Sequence, residues 1–334
     1  MRNGMTQQQA FEESFAEIDE AEKLGVDCIW LAEHHFQPHD SVLASPLVVA
    51  SAIAARTTRI RIGLGVQVLP LANPLRVAEE AATVDHISKG RLDFGVGRSG
   101  ITKFYQGFNV DYSESRGRFY EALDVIMKAW TEEEFSYNGK FYSYQNVAVT
   151  PKPFQQPHPV IRVAAESADT FTHVGHLGQA IFVHANSPNP LPQLKERLAV
   201  YRKARQESGH SGPGDVVLRI PTYVAETTEK ARAEAEASTI HRVQGGVQER
   251  IAAAASEEVA NRLRTLANLS YDDILNHMVI YGTPEYVTDR FKEYQEELDL
   301  SGVVLDVNYG SQIPPEKVIN SVRLLSEKVI PNFK

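Results

Sequence analysis

The amino-acid sequence predicts an α/β fold in which a parallel β-sheet is covered by α-helices. Three observations favour this class. Short apolar runs alternate with amphipathic helical patterns, no Pro- or Gly-rich linker divides the 334 residues, and 43% of the residues are hydrophobic, which is enough for a large core. We therefore expect a single domain that spans residues 1–334.

Seven short apolar runs are interpreted as barrel strands, because a helical pattern follows each of them. They are residues 28–32, 59–68, 91–96, 160–165, 180–184, 216–225 and 302–307. A closed (β/α)8 TIM barrel needs eight strands. The first strand appears to be missing from this chain, because residues 1–7 are too short and too polar to form it. We expect the gene to have an upstream start that encodes it.

Helical patterns fill the segments between the strands. The first helix is expected over residues 8–25 with Gly25 as its C-cap, and the second over residues 46–56 with Ser45 as its N-cap and Pro46 in its first turn. The other helices are expected at residues 73–86, 114–131, 167–177, 190–208 and 314–329, and from residues 227 and 283 onward.

Two segments interrupt the alternation of strands and helices. Residues 135–142 are expected to form a β-hairpin, because Asn138-Gly139 suits a type I′ turn. Residues 245–281 are ambiguous, partly helical and partly loop, and they are too long for an ordinary connection. We expect this insertion to be a mobile lid that shields the site from water.

Composition excludes several kinds of partner. The net charge is −9, so the chain has no global attraction for nucleic acid. No signal-peptide pattern and no apolar run long enough to span a bilayer is seen, which favours a cytoplasmic location. The only cysteine, Cys28, lies in an apolar run and is expected to be a small core residue.

The first strand-like run ends in Glu33, His34 and His35, and chemistry collects at such strand ends in parallel α/β proteins. The cluster has three interpretations: a zinc site, a histidine that packs and donates to a carbonyl, or an imidazole that faces an organic cofactor. Further histidines that could join a zinc site are His173, His176 and His184. Because side chains alternate along a strand, only Glu33 and His35 share a side. We favour packing for His35, cofactor contact for His34, and no metal.

An anion site is suggested by two separate stretches. Arg98 follows a glycine-rich strand end, where its alternative role is a surface ion pair. Ser167 lies where a strand turns into a helix, and Thr170 follows three residues later; their alternative is a plain helix cap. A guanidinium and a hydroxyl-rich helix start predict a phosphate better in combination than alone.

Other features are less specific. Gly63 and Gly65 lie inside a strand, which suggests a bulge or the close approach of a flat group, and no dinucleotide-binding glycine motif is present. Aromatic residues cluster over residues 104–112, where loop packing and a substrate wall are equally favoured.

Five stretches resemble the signatures of the bacterial luciferase-like flavin-dependent monooxygenases. They are Trp30-Leu31-Ala32-Glu33-His34-His35-Phe36, residues 68–79, residues 88–98, Ala165-Glu166-Ser167-Ala168 and residues 281–285. The resemblance runs in order from about residue 11 to the C-terminus. It implies a (β/α)8 barrel that binds reduced FMN at the C-terminal ends of its strands. O2 would add at the flavin C4a to give a hydroperoxide, which oxygenates a small organic substrate.

The resemblance also implies roles for individual residues. His34 matches the active-site histidine of the family, and Gly65-Val66 matches a bend beneath the flavin that is often a non-proline cis peptide. The positions that match the phosphate site are Arg98, Glu166, Ser167 and Thr170, with Arg116 as a possible assistant. Gly97 falls where the luciferase catalytic subunit has a reactive cysteine, which counts against aldehyde bioluminescence.

The family resemblance leaves alternatives for cofactor and activity. Some relatives use the deazaflavin F420 for hydride transfer, but their corresponding strand usually lacks the double histidine, so F420 ranks second to FMN. A non-catalytic flavin-binding or partner subunit is a third alternative. We expect a separate NAD(P)H:flavin reductase as partner, and a homodimer through residues 46–55, a stretch that is apolar nearly all round.

Overall fold

The computed structural model describes residues 2, 4–38, 41–185, 190–252, 254 and 256–334. The chain divides into two compact units, one formed by residues 27–164 and the other by residues 1–26 and 165–334. Each unit has its own parallel strands and helices.

The elements follow the predicted alternation. The strands are β1 (Cys28–Leu31), β2 (Arg61–Leu64), β3 (Gln67–Val68), β4 (Leu92–Gly97), β5 (Phe135–Asn138), β6 (Ser143–Val147), β7 (Ile161–Ala164), β8 (Ala180–His184), β9 (Val216–Val224), β10 (Ile280–Gly282) and β11 (Gly302–Asp306). The α-helices are α1 (Gln7–Lys23), α2 (Pro46–Arg56), α3 (Pro74–Ser88), α4 (Thr102–Gly107), α5 (Ser115–Thr131), α6 (Ala168–His176), α7 (Pro190–Glu207), α8 (Thr228–Gln244), α9 (Val247–Ala252), α10 (Glu257–Ala267), α11 (Tyr271–His277), α12 (Pro284–Leu298) and α13 (Pro315–Leu324). All seven predicted barrel strands are present. Within the described ranges, no helix combines the length and the apolar character of a membrane span.

Local sequence explains where the first helix begins and ends. Thr6 and Gln9 form a reciprocal capping box at the start of α1. The C-cap is Leu24, so the predicted C-cap Gly25 lies one residue later, where its φ of +82° is the left-handed conformation that ends many helices.

In the unit formed by residues 27–164, β1, β2, β4 and β7 are parallel neighbours in that order. Every residue of β4 is buried, as expected for a strand with both faces covered. Trp130 of α5 packs against Phe94 with ring centroids 5.1 Å apart, and its indole N–H donates to the carbonyl of Ala78 at 3.0 Å. These contacts fix α5 and α3 against the sheet.

The predicted strand 59–68 is divided into β2 and β3. Between them the Gly65–Val66 peptide bond is cis, and the Gly65 N–H donates to the carbonyl of Leu31 at 2.7 Å. The flat group predicted to approach the strand glycines is the indole of Trp30, which occupies the space that a Cβ at Gly63 would need. The protein therefore supplies its own flat group at this point.

The hairpin β5–β6 is confirmed, but the predicted type I′ turn is wrong. Asn138 pairs with Ser143, so four residues form the loop, and neither Asn138 nor Gly139 has the positive φ that a type I′ turn requires. The physical reason lies outside the hairpin. The carboxylate of Glu121 accepts the N–H groups of Lys140 and Phe141 at 2.9 Å each, and it thereby fixes a wider loop.

In the other unit, β9 is the central strand. β8 pairs with the first half of β9, while β11 pairs with Val217–Pro221 and the short strand β10 pairs with Thr222–Val224. The strand β10 was not predicted, because it lies in the segment 245–281 that the sequence left ambiguous. That segment otherwise contains α9, α10 and α11, and Ile274 and Met278 are buried in a core cluster with Tyr223.

Candidate active site

The carboxylate of Glu33 organises the end of β1. It is buried and accepts three hydrogen bonds, from Nε2 of His35 at 2.7 Å, from Nε2 of Gln67 at 2.6 Å and from the backbone N–H of Val68 at 2.9 Å. The first bond confirms that Glu33 and His35 share a side. The other two connect β1 to the strand that follows the cis peptide, so Glu33 fixes the backbone around Gly65 and Val66.

The packing predicted for His35 is confirmed, but the predicted hydrogen-bond acceptor is wrong. The ring packs as predicted, edge-on against Phe104 and Phe108 with centroids 5.4 and 4.8 Å away. It donates, however, to the Glu33 carboxylate rather than to a carbonyl. A charged acceptor makes the stronger bond, and it holds the imidazole in one orientation.

His34 is half-buried and is held differently from His35. Its backbone N–H donates to the carbonyl of Leu43 at 2.9 Å, and its Nδ1 lies 3.3 Å from the Gln37 side-chain oxygen. Phe104 meets the ring edge-on at 6.1 Å between centroids. Phe104 is buried and packs against both histidines, which is the packing alternative for this residue, and the role of the aromatic cluster as a substrate wall stays a prediction.

The C-terminal end of β4 has no room for a side chain at position 97. A Cβ on Gly97 would lie 2.8 Å from Cγ2 of Val66, which follows the cis peptide. A cysteine at this position, as in the luciferase catalytic subunit, would therefore require Val66 to move. The chain's own cysteine, Cys28, is half-buried, and desolvation of its thiol, and next the charge of Asp93, raise its pKa and disfavour the thiolate.

Arg98 and Arg116 belong to the same unit as the histidines. The half-buried Arg98 side chain lies 3.4 Å from the Ser115 hydroxyl, and the Tyr105 hydroxyl donates to the Arg98 carbonyl. Burial raises the pKa of Tyr105, so this phenol stays protonated and acts as a donor. Arg116 follows Ser115 directly in α5 and its side chain is exposed.

In the other unit, Ser167 and Thr170 lie together at the start of α6. Their hydroxyl oxygens are 2.9 Å apart, and Ser167 is the N-cap but makes no side-chain capping bond. The plain helix cap that competed with the anion site is therefore not what the structure shows. Two hydroxyls and the first N–H groups of a nine-residue helix are suited to bind an oxyanion.

Glu166 is exposed and pairs with Arg262 of α10. This contact was not predicted, since nothing in the sequence connects residues 96 positions apart. It places a guanidinium from the segment 245–281 one residue before the N-cap of α6. Glu33 and Gln67 are the other contributors that sequence reasoning missed, although the predicted i, i+2 pairing of Glu33 with His35 was the available signal.

A metal centre is not assembled by the part of the chain that the structure describes, where no three His, Cys, Asp or Glu residues are grouped to bind an ion. Two of the histidines named for a zinc site make other contacts. Nδ1 of His176 lies 2.9 Å from the Ser208 hydroxyl, and the ring of His184 packs against Phe182.

Comparison with known proteins decides the family. Residues 1–299 match the family model for luciferase-like monooxygenases. The chain belongs to the luciferase-like monooxygenase family. Two similar members are limonene 1,2-monooxygenase of Rhodococcus erythropolis, 26% identical over 95% of this chain and 80% of that protein, and the oxygenase component of the flavin-dependent trigonelline monooxygenase of Acinetobacter baylyi, 26% identical over 87% of this chain and 81% of that protein.

Solved structures of this luciferase-like class confirm the predicted α/β barrel fold. The monooxygenase RslO1 from Streptomyces bottropensis has a TM-score of 0.83 and 27% identity, covering 98% of this chain and 95% of that chain. The FMN complex of 3,6-diketocamphane monooxygenase from Pseudomonas putida also has a TM-score of 0.83, at 18% identity over 99% and 96% of the two chains. The F420-dependent tetrahydromethanopterin reductase of Methanopyrus kandleri has a TM-score of 0.73 at 22% identity over 97% and 96% of the two chains. The last two likenesses concern the fold alone.

Proposed function

We propose that the protein is the oxygenase component of a two-component monooxygenase that uses reduced FMN and O2 to oxygenate a small organic substrate. The observation that carries this proposal is the start of α6, where Ser167 and Thr170 present adjacent hydroxyls beside helix N–H groups. FMN ends in a phosphate, which such a helix start recognises. Family membership and the named oxygenase component of trigonelline monooxygenase support the rest.

The donor set of the described residues fits FMN. We assign Ser167 and Thr170 to the phosphate from the geometry at the start of α6. Arg98 and Arg116 are assigned to it from the family resemblance alone, because charge-assisted bonds from arginine suit a phosphate. Glu166 repels a phosphate and is already paired with Arg262, so its side chain is assigned to that ion pair. This revises the side-chain role that the sequence suggested for Glu166.

The backbone around Gly65, Val66 and Gly97 is assigned to the flavin ring. Gly97 has no Cβ and Val66 lies directly beside it, so the surface there is smooth and apolar. Glu33 holds this backbone through Val68, as the hydrogen bonds show. When bound, the reduced flavin supplies the electrons that activate O2.

His34 is assigned the proton transfer to or from the reacting substrate oxygen. The bond from its backbone N–H to Leu43 fixes the main chain, while the contact with Gln37 and the edge-on packing of Phe104 orient the imidazole. His35 is assigned a positioning role instead, because its Nε2–H is committed to Glu33. General acid–base catalysis by a histidine typically accelerates a step by about 10²–10⁴-fold.

The proposal is tested at Thr170 with a matched control on the same helix. Thr170→Val keeps the shape of the side chain and removes the hydroxyl, so FMN should bind about tenfold or more weakly, as expected for a lost hydrogen bond to a charged group. Riboflavin, which lacks the phosphate, should bind as before. Thr172→Val alters a hydroxyl that faces the carbonyl of Ala168 and should change neither affinity. Equal losses for both flavins in Thr170→Val would remove the phosphate assignment.

Two alternatives remain testable with the same protein. F420-dependent hydride transfer would show substrate reduction or oxidation with F420 and no O2 consumption; it is kept because proteins of this fold use F420. A non-catalytic flavin-binding subunit would bind FMN stoichiometrically without substrate-dependent O2 uptake when a flavin reductase and NAD(P)H are supplied.

A further inference from the structure

A polar cluster that the assignments above leave unused lies at the C-terminal ends of β8, β9 and β11. His184, the last residue of β8, is in register with Arg219 of β9, so the two side chains point to the same side of the sheet. Asp306 ends β11 in register with Pro221, two residues beyond Arg219, and therefore points to that side as well. Each of the three is only partly buried, so a bound molecule can reach the cluster.

The charges of this cluster are balanced. Arg219 donates to the carboxylate of Asp306, and Arg262, whose charge also acts on His184, is paired with Glu166. Two guanidinium groups are thus matched by two carboxylates around one imidazole. An incoming anion would have to compete with a carboxylate for either arginine, and an incoming cation would find each carboxylate already engaged.

His184 is the member of the cluster with hydrogen-bonding capacity to spare. Its ring packs edge-on against Phe182 with centroids 5.6 Å apart, and in the described part of the chain neither ring nitrogen has a hydrogen-bond partner. Burial, and next the positive charge of Arg219, lower the pKa of His184 to about 4. At neutral pH the ring therefore carries one N–H donor and one N acceptor and no charge.

We propose that His184 is a substrate-binding residue that recognises the carbonyl or hydroxyl group of an uncharged organic molecule. This inference rests on the proposed monooxygenase function for its biological setting, and it names the class of substrate: neutral, oxygen-bearing and small. A neutral imidazole beside the Phe182 ring offers one polar contact among side chains whose charges are paired. That combination orients a ketone, aldehyde or alcohol, while sulfonates, carboxylates and ammonium compounds bind less well.

The test is a binding experiment that does not depend on turnover. FMN-loaded protein is screened by ligand-observed saturation-transfer NMR against compounds built on common rings and chains, each as ketone, alcohol, carboxylate, sulfonate and ammonium forms. Wild-type protein should bind ketones and alcohols in preference to the charged forms. His184→Phe keeps an aromatic ring and removes the hydrogen bond, so the neutral compounds should bind about 2- to 12-fold more weakly.

Three further variants keep the inference falsifiable. His184→Gln retains a donor and an acceptor and should restore ketone binding if the phenylalanine variant has simply lost structure. Asp306→Asn leaves Arg219 without its carboxylate and should shift the preference toward carboxylates by about tenfold or more. His277→Ala, an exposed histidine of the same unit, should behave as wild type.

Different results would contradict the assignment of His184 and the proposed monooxygenase function. Anions that bind wild-type protein as well as ketones do, or neutral compounds that bind His184→Phe as well as wild type, would overturn the assignment. The same holds if no neutral compound in the series binds in a manner that depends on His184. Binding that depends on His184 in a protein that never oxygenates a substrate would instead overturn the monooxygenase proposal and leave the subsite standing.

Discussion

Removal of the Glu33 carboxylate should destabilise the unit formed by residues 27–164 more than any surface change. The Glu33 side chain is 4% exposed and accepts three hydrogen bonds, from His35, Gln67 and Val68. Glu33→Ala leaves three buried donors without an acceptor, and each such donor costs about 1–3 kcal/mol. Because the surrounding side chains can relax and water can reach some of these donors, we expect a loss of roughly 3–5 kcal/mol in the free energy of unfolding.

Glu33→Gln separates the hydrogen bonds from the charge. Its amide oxygen can still accept from Gln67 and Val68, and its NH2 group can donate to His35 once the imidazole proton moves to Nδ1. We therefore expect a loss of only about 1 kcal/mol.

The assay is urea denaturation followed by tryptophan fluorescence. Both tryptophans of the chain, Trp30 and Trp130, belong to the unit that contains Glu33, so the signal reports that unit. Glu79→Ala, which alters an exposed carboxylate of α3, is the control and should change stability by less than about 0.5 kcal/mol. A Glu33→Ala variant within about 1 kcal/mol of wild type would refute the anchoring role.

Four further predictions follow from the assignments. Arg98→Ala should weaken FMN binding by roughly 1.5–3 kcal/mol and leave riboflavin binding unchanged in fluorescence titrations, and equal losses would place Arg98 elsewhere. His34→Ala should lower turnover by about 10²–10⁴-fold and raise H2O2 release at unchanged FMN affinity, whereas loss in His35→Ala alone would reverse the two roles. Bound FMN should protect residues 245–281 from limited proteolysis, and cleavage there that ignores flavin would argue against a lid. The protein should sediment as a homodimer that Val48→Asp dissociates, since Val48 on α2 is 68% exposed; a wild-type monomer at micromolar concentration would contradict this.

The sequence was sufficient for the order of the barrel strands and for the side-chain alternation after β1. Both depend on local pattern: apolar runs of strand length, and the period of two that puts Glu33 and His35 on one side. The family signatures also predicted the bend at Gly65–Val66, where the structure has the cis peptide, whereas the role of His34 stays a prediction.

Contacts between residues far apart in the chain could not be predicted from the sequence. Arg262 lies in residues 245–281, whose structure the sequence left ambiguous, and Glu166 lies in the stretch that was assigned to a phosphate site by resemblance. No local sequence pattern predicts that these two side chains form an ion pair. The hairpin turn failed for the same reason, because the Glu121 carboxylate on α5 overrides the preference of Asn138-Gly139. The strand β10 is only three residues long and forms because β9 extends past β11, which a reading of single segments does not reveal.

The most direct test of the function is oxygen-isotope labelling. The protein is mixed with FMN, a flavin reductase and NAD(P)H under ¹⁸O2, with the neutral carbonyl and hydroxyl compounds that bind to it, and the products are analysed by mass spectrometry. The monooxygenase proposal predicts a product that carries one ¹⁸O atom from O2, lost in His34→Ala while H2O2 accumulates. A product without ¹⁸O, or turnover that needs F420 and consumes no O2, would contradict it.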